Sequence, residues 1–178
     1  MVQSNLPRAT IIRFIHKLCN DMKVSGLVVS EIRGYTQFIV EHIVKKSSYV
    51  AKYAKKKTID QMAILIAAKS IGLACRDPNI KKLSKCNDSK MKNCLVFPRA
   101  NFSQMIKDMA QSSDSNIPND MRISDDFRTS TMAKELLQLI IEDHLRDVIV
   151  VACKTAKQQG STIMPRHFDV CGAKLRPE

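Results

Sequence analysis

Between Val24 and Ile59 the sequence VSGLVVSEIRGYTQFIVEHIVKKSSYVAKYAKKKTI carries one amphipathic pattern that no proline interrupts, and it runs out through three consecutive lysines. Apolar residues at Val28, Ile32, Tyr35, Ile39, Ile43, Val50 and Ala54, with a second row at Val29, Val40 and Val44, recur at intervals of three and four. That period places them on one side of an α-helix. About 28 residues rising 1.5 Å each make a rod of about 42 Å. A short helix on either side covers only part of such a rod, so the rest of its apolar face must find a partner.

The rest of the chain supplies one. Pro7 suits a first helical position, and the short helix it opens presents Ile11, Ile12, Phe14, Ile15 and Leu18 on one side and Arg8, Arg13 and Lys17 on the other. Ser25-Gly26 reads as the N-cap of the long helix. A second short helix is expected from Asp60 to about Ser70. From Gly72 to Val96 the periodicity fails and the text turns polar and lysine-rich, as in a linker of about 25 residues. Beyond it the outline returns. Phe97 to about Gln111 is a short helix with Phe102, Met105, Ile106 and Met109 on one face. Ser124 is expected to cap a second long helix, with Asp125 and Asp126 in its first turn and Leu136, Leu137, Ile140, Ile141, Leu145, Val148, Ile149 and Ala152 along it to about Lys157. A closing helix is expected from Ile163 to about Lys174, with Pro165 in its first turn. AKKKTI at Ala54 to Ile59 is answered by AKQQGSTI at Ala156 to Ile163, which marks an internal repeat. The fold class is therefore all-α: two short-long-short units, residues 1–72 and 97–178, joined by a basic linker at 73–96, with the long helices crossing to complete one core.

The chain's 44% hydrophobic content is enough for that core, and its net charge of +12 with a pI near 9.6 points to a polyanionic partner, nucleic acid before a membrane surface. Charge is unevenly divided: residues 1–72 hold twelve Lys and Arg against four Asp and Glu, residues 73–96 six against two, and residues 97–178 eleven against eleven. The anion-facing side is expected to favour the first half. The six cysteines, Cys19, Cys75, Cys86, Cys94, Cys153 and Cys171, show no C-x-x-C spacing and read as reduced, packed thiols. Arg8, Arg13 and Lys17 interrupt the N-terminal apolar residues, so no signal peptide is expected, and no apolar run reaches membrane-spanning length. Carboxylates next to histidines at Glu41–His42, Glu142–His144 and Arg166–Asp169 read as solvated helix faces, not as an active site. His16, His42, His144 and His167 lack metal-ligand spacing, and no glycine-rich phosphate loop is present, so neither metal nor cofactor is expected. What remains is phosphate binding by basic connectors and helix starts.

Several stretches carry a resemblance to a known family. Residues 24–62 resemble the central helix and second loop of core histone H-four, in Ser25-Gly26-Leu27, in Glu31 to Gly34 and in Ala54-Lys55-Lys56-Lys57-Thr58. The second half resembles core histone H-three, in Met121 to Ser124, the Glu142-Asp143 pair, Ala152-Cys153 and TIMPRHF at Thr162 to Phe168. Together the chain resembles the fused histone doublets encoded by some large DNA viruses. The resemblance implies two interlocked histone folds that wrap double-stranded DNA without reading its sequence, with arginines in inward-facing minor grooves and helix dipoles on phosphates. It also implies a second copy of the chain as a partner, a further pair or doublet resembling H-two-A and H-two-B, and a place in the nucleus or in a viral factory and virion.

Carried over by position, the implied DNA contacts of the first half are Arg13, Lys17, Lys23, Ser25, Lys56, Lys57 and Thr58, and those of the second are Arg122, Ser124, Thr162 and Met164. The first-loop arginine of the second half falls on Arg122 or Arg128. Arg8, Lys55, Arg99, Lys157 and Ser161 join them on charge, chemistry and position. Self-association is implied for the end of the second half, at Cys153, Phe168, Asp169, Val170 and Cys171. The family's arginine clamped to a helix carboxylate after each long helix is expected to be missing, since Lys56 stands with Ala63 and Gly160 with His167. Two other readings compete: a histone-fold transcription subunit acting mainly through protein contacts, and a helical scaffold with no DNA role.

Overall fold

Each helix begins and ends where the local chemistry allows. Described in this computed structural model are residues 6–20, 22–73, 95–111, 128–160 and 162–169. Helix α1 (Arg8–Cys19) starts behind Pro7, whose carbonyl accepts from the N–H of Thr10 at 3.0 Å, and stops at Asn20, which takes the left-handed conformation that releases a chain from a helix. Strand β1 (Lys23–Val24) leads into α2 (Gly26–Tyr53), where the Ser25 hydroxyl accepts from the Leu27 N–H. Strand β2 (Thr58–Ile59) leads into α3 (Gln61–Ser70), capped by the Asp60 carboxylate. The second unit repeats the order with α4 (Arg99–Gln111), β3 (Arg128–Thr129), α5 (Thr131–Gln159), β4 (Thr162–Ile163) and the short α6 (Arg166–Asp169).

The first loop of each unit pairs with the second loop of the other. Lys23–Val24 runs parallel to Thr162–Ile163, and Thr58–Ile59 runs parallel to Arg128–Thr129. The pairing is extended by matching bonds at the two helix caps: the Ser25 N–H donates to the Ile163 carbonyl and the Ser130 N–H to the Ile59 carbonyl, both at 3.1 Å. Short helices cross over as well. Helices α1 and α3 pack on α5, and α4 packs on α2. One core results, with Val28, Ile32, Val40 and Ile43 of α2 and Leu137, Ile141, Leu145 and Ile149 of α5 all buried. Phe14 of α1 meets Phe97 edge-on across the two units at 5.4 Å between centroids. Tyr35 of α2 and His144 of α5 share a hydrogen bond of 2.8 Å, and burial lowers the His144 pKa from its ordinary value. Hydroxyls inside α2 return to their own helix, Thr36 donating to the Ile32 carbonyl and Ser47 to that of Ile43, so neither is left unsatisfied.

Several expectations need correction. Ser124 does not cap the second long helix: Ser130 does, its hydroxyl accepting from the Ala133 N–H, because Arg128 and Thr129 must be extended to pair with β2. The two long helices then differ by one residue, 28 against 29. Arg122, Ser124, Asp125 and Asp126 lie outside the described residues, as do residues 74–94 of the linker expected at 73–96 and residues 170–178. The closing helix starts at Arg166, not Ile163, because Thr162 and Ile163 are claimed by β1. Ala54 falls past the end of α2 and is exposed. Cys19 and Cys153 are not free thiols but are joined as a disulfide.

Glu142 is not on a solvated face either. It is 2% exposed, and its carboxylate accepts from the N–H groups of Val96 and Phe97 at 2.8 and 2.9 Å and from the Gln138 amide at 2.8 Å. Gln138 in turn donates to the Phe97 carbonyl, and Glu135 pairs with Arg99 at 2.9 Å, so three side chains of α5 hold the segment that opens α4. Desolvation raises the Glu142 pKa against the pull of these donors. Glu142→Ala leaves two backbone N–H groups without their acceptor and is expected to cost about 2–4 kcal/mol, read from the denaturant midpoint. A raised folded-state pKa makes the group's contribution largest at low pH and smaller as pH rises through it, so the gap to wild type should be wider near pH 5 than near about pH 8.

Candidate nucleic-acid interface

Crossing the loops brings basic residues from both units to each end of the molecule. At one end, Lys23 of β1 lies beside Thr162 of β4, with Lys157, Met164 and Arg166 on the segments around them, and all but the half-buried Thr162 are exposed. Arg8 belongs here too: a Cβ placed on Gly26, in the first turn of α2, would stand 3.4 Å from its Nη2. At the other end, Lys55, Lys56, Lys57 and Thr58 lie beside Arg128 of β3, all exposed. Each end also holds the start of a long helix, α2 behind Ser25 and α5 behind Ser130, whose first N–H groups and dipole favour an anion. Arg13 and Lys17 are exposed on α1, opposite its buried Ile11, Phe14 and Ile15.

Other candidates are engaged elsewhere. Arg99, still more than a third exposed, is paired with the buried Glu135. The Ser25 hydroxyl accepts from the Leu27 N–H of its own helix, which occupies its oxygen as an acceptor and leaves its O–H as a donor. Ser161, like Arg122 and Ser124, lies outside the described residues. The residues implied for self-association fare differently from expectation. Cys153 is bonded to Cys19, and Phe168 is 1% exposed because α6 folds it under α5, so both belong to the chain's own core. Asp169 is exposed, and Val170 and Cys171 are outside the described residues.

Lys56 has a carboxylate partner that its spacing to Ala63 did not show. Its Nζ lies 2.5 Å from Oδ2 of Asp60, the residue that caps α3 through its other oxygen. Lys56, and then the Ala63 N–H, hold the Asp60 carboxyl below its usual value, so this contribution is present above about pH 3.8 and lost as pH falls through the lower folded-state pKa. At the corresponding place in the second half no such ion pair is found among the described residues. There the Met164 N–H donates to Nδ1 of buried His167 at 3.1 Å. Sequence reasoning left Arg128 as one of two alternatives and missed Ser130. A basic residue two positions before a serine cap, Lys23-Val24-Ser25 and Arg128-Thr129-Ser130, was the available signal.

Lys55 is the costly member of the lysine run. It stands in the left-handed region at φ 55, with its N–H bonded to the Lys52 carbonyl and that of Lys56 to the Ala51 carbonyl. Gly72 occupies the equivalent position after α3, at φ 76 with the same two bonds. Glycine takes this conformation without the Cβ penalty. Lys55→Gly is therefore expected to stabilise the chain by about 0.5–1 kcal/mol in thermal or denaturant melts, through relief of that penalty. An unchanged or lower stability contradicts the assigned strain.

Among solved structures, the histone from Methanopyrus kandleri is similar, with a TM-score of 0.63 over 97% of this chain and 97% of that one at 16% identity. No known protein family matches the sequence, and no curated protein does. The fold of the chain is thus histone-like. Among the described residues no helix is long and apolar enough to cross a membrane, and no group of three His, Cys, Asp or Glu could hold a metal ion.

Proposed function

We propose that the chain is a histone doublet, an H-four-like unit at 1–72 and an H-three-like unit at 97–178 interlocked as an intrachain dimer, which packages double-stranded DNA irrespective of sequence. The observation that carries this reading is the placement of exposed cations beside a capped helix start at both ends of the molecule, with Arg13 and Lys17 exposed on α1. A long helix of 28 residues sets the two ends about 42 Å apart. At 3.4 Å per base pair that is about twelve base pairs, close to one turn of duplex, so both ends can meet phosphates on the same side of a bent DNA. Contacts of this kind position a duplex and read no bases. The polyanion expected from the net charge is then DNA, the role is structural and not enzymatic, and the charge excess of the first half serves both ends.

In this reading the doublet forms the central part of a nucleosome-like particle, with a second copy of itself and a pair or doublet resembling H-two-A and H-two-B. It works in the nucleus, or in a viral factory and the virion. The contact between copies uses exposed residues around the end of α5, such as Val151 and Asp169, in place of Cys153 and Phe168.

Nuclease footprinting on mixed-sequence DNA tests the reading: a packaging protein protects long segments wherever it lies. Protection confined to one sequence, or none at all, is what a transcription subunit or a scaffold would give. Replacing Lys55, Lys56 and Lys57 together with Gln is expected to weaken binding to two unrelated duplexes alike and to flatten the salt dependence by about two to three units. A loss on one duplex alone, or an unchanged slope, removes the lysine loop from the DNA face.

A further inference from the structure

The disulfide between Cys19 and Cys153 joins the two units at a telling place. Cys19 is the last residue of α1, just before the left-handed Asn20 turns the chain toward β1. Cys153 lies on the inward face of α5, nine residues before β4, which is β1's partner. Their Cα atoms are 6.1 Å apart, inside the range of about 4.4–6.8 Å that a disulfide requires, and the two positions are separated by 134 residues of sequence. Both side chains are almost wholly buried, at 2% and 5% exposure.

We propose that Cys19 and Cys153 form a redox-operated latch between the two units, open as a pair of packed thiols and closed as a disulfide. A buried thiol packs as a small apolar side chain, so the open state keeps the same core. Closure needs an oxidant, which a low-molecular-weight disulfide such as oxidised glutathione supplies. One cysteine thiolate attacks a glutathione sulfur and releases one glutathione thiolate; the second cysteine then attacks the protein sulfur of the mixed disulfide and releases the other. The two protein thiols together lose two electrons and two protons, and one glutathione disulfide becomes two glutathione thiols. With both sulfurs buried, exchange requires α1 to lift from α5, so a folded chain holds either state against brief changes of redox conditions. The closed latch ties the end of α1 to α5 and restrains the unfolded chain across both units. A packaging protein that passes between reducing and oxidising surroundings would thereby be held together more tightly in the second, and the latch itself does not depend on the DNA reading.

The test uses the full chain, refolded once in buffer with excess dithiothreitol and once in a buffer rich in oxidised glutathione. Non-reducing proteolysis and mass spectrometry are expected to find Cys19 joined to Cys153 in the second sample and both alkylatable in the first. The oxidised chain should melt higher by roughly 5–15 °C, and dithiothreitol should erase the difference once the chain is allowed to unfold and refold. Replacing Cys75, Cys86, Cys94 and Cys171 with Ser should leave the shift in place, and Cys153→Ala should abolish it. Free Cys19 and Cys153 in the oxidised sample overturn the proposal. So does a linked chain that melts no higher than the reduced one.

Discussion

Everything in this fold depends on the exchange of loops between the two units. Parallel pairing of Lys23–Val24 with Thr162–Ile163, and of Thr58–Ile59 with Arg128–Thr129, fixes both ends of both long helices. Each pairing is only two residues long, and strands this short are not stable alone. They are held because the helices they anchor bury α2 against the short helix of the other unit and α5 against two of them. The apolar rod that no single unit could cover is covered by exchange. Serine caps at Ser25 and Ser130 serve twice, once to start a helix through the hydroxyl and once to extend the pairing through the backbone N–H.

The same exchange creates the candidate DNA face. A loop that pairs with the other unit's loop brings that unit's cations with it, so Arg128 joins the lysine run and Lys157 and Arg166 join Lys23. At Lys55 the demands of folding and of charge pull apart. A left-handed position after a helix favours glycine, as Gly72 shows after α3, and the chain keeps lysine there. A residue that costs stability on an exposed loop is most simply understood by what it meets outside the chain.

How much of this could be read from sequence follows the range of the forces involved. Helix α2 was legible almost to the residue, because an unbroken apolar stripe, a Ser-Gly start and the lysine run are local signals. The start of α5 was not. Ser124 followed by two aspartates is a stronger local cap than Ser130, and only the pairing of Arg128 and Thr129 with a strand some seventy positions away moves the start to Thr131. The same contest shifted the last helix from Ile163 to Arg166. Glu142 looked like a solvated carboxylate because its partners, the N–H groups of Val96 and Phe97, are more than forty residues distant. Cys19 and Cys153 are further apart still, and no spacing rule could have paired them. Of the candidate site, the lysine run and the first-loop residues were legible as charge next to helix ends. The inward turn of Phe168 and Cys153, and the use of Arg99 by Glu135, are packing outcomes with no local signature.

The central claim is that neither unit is stable without the other, and the most direct measurement is the behaviour of residues 1–72 expressed alone. With its partner loops and α5 removed, the buried face of α2 has nothing to cover it within that fragment. Sedimentation and thermal melting should therefore find it unfolded or associated, and addition of residues 95–178 should restore a cooperative transition. A monomeric 1–72 fragment that melts cooperatively by itself would contradict the account.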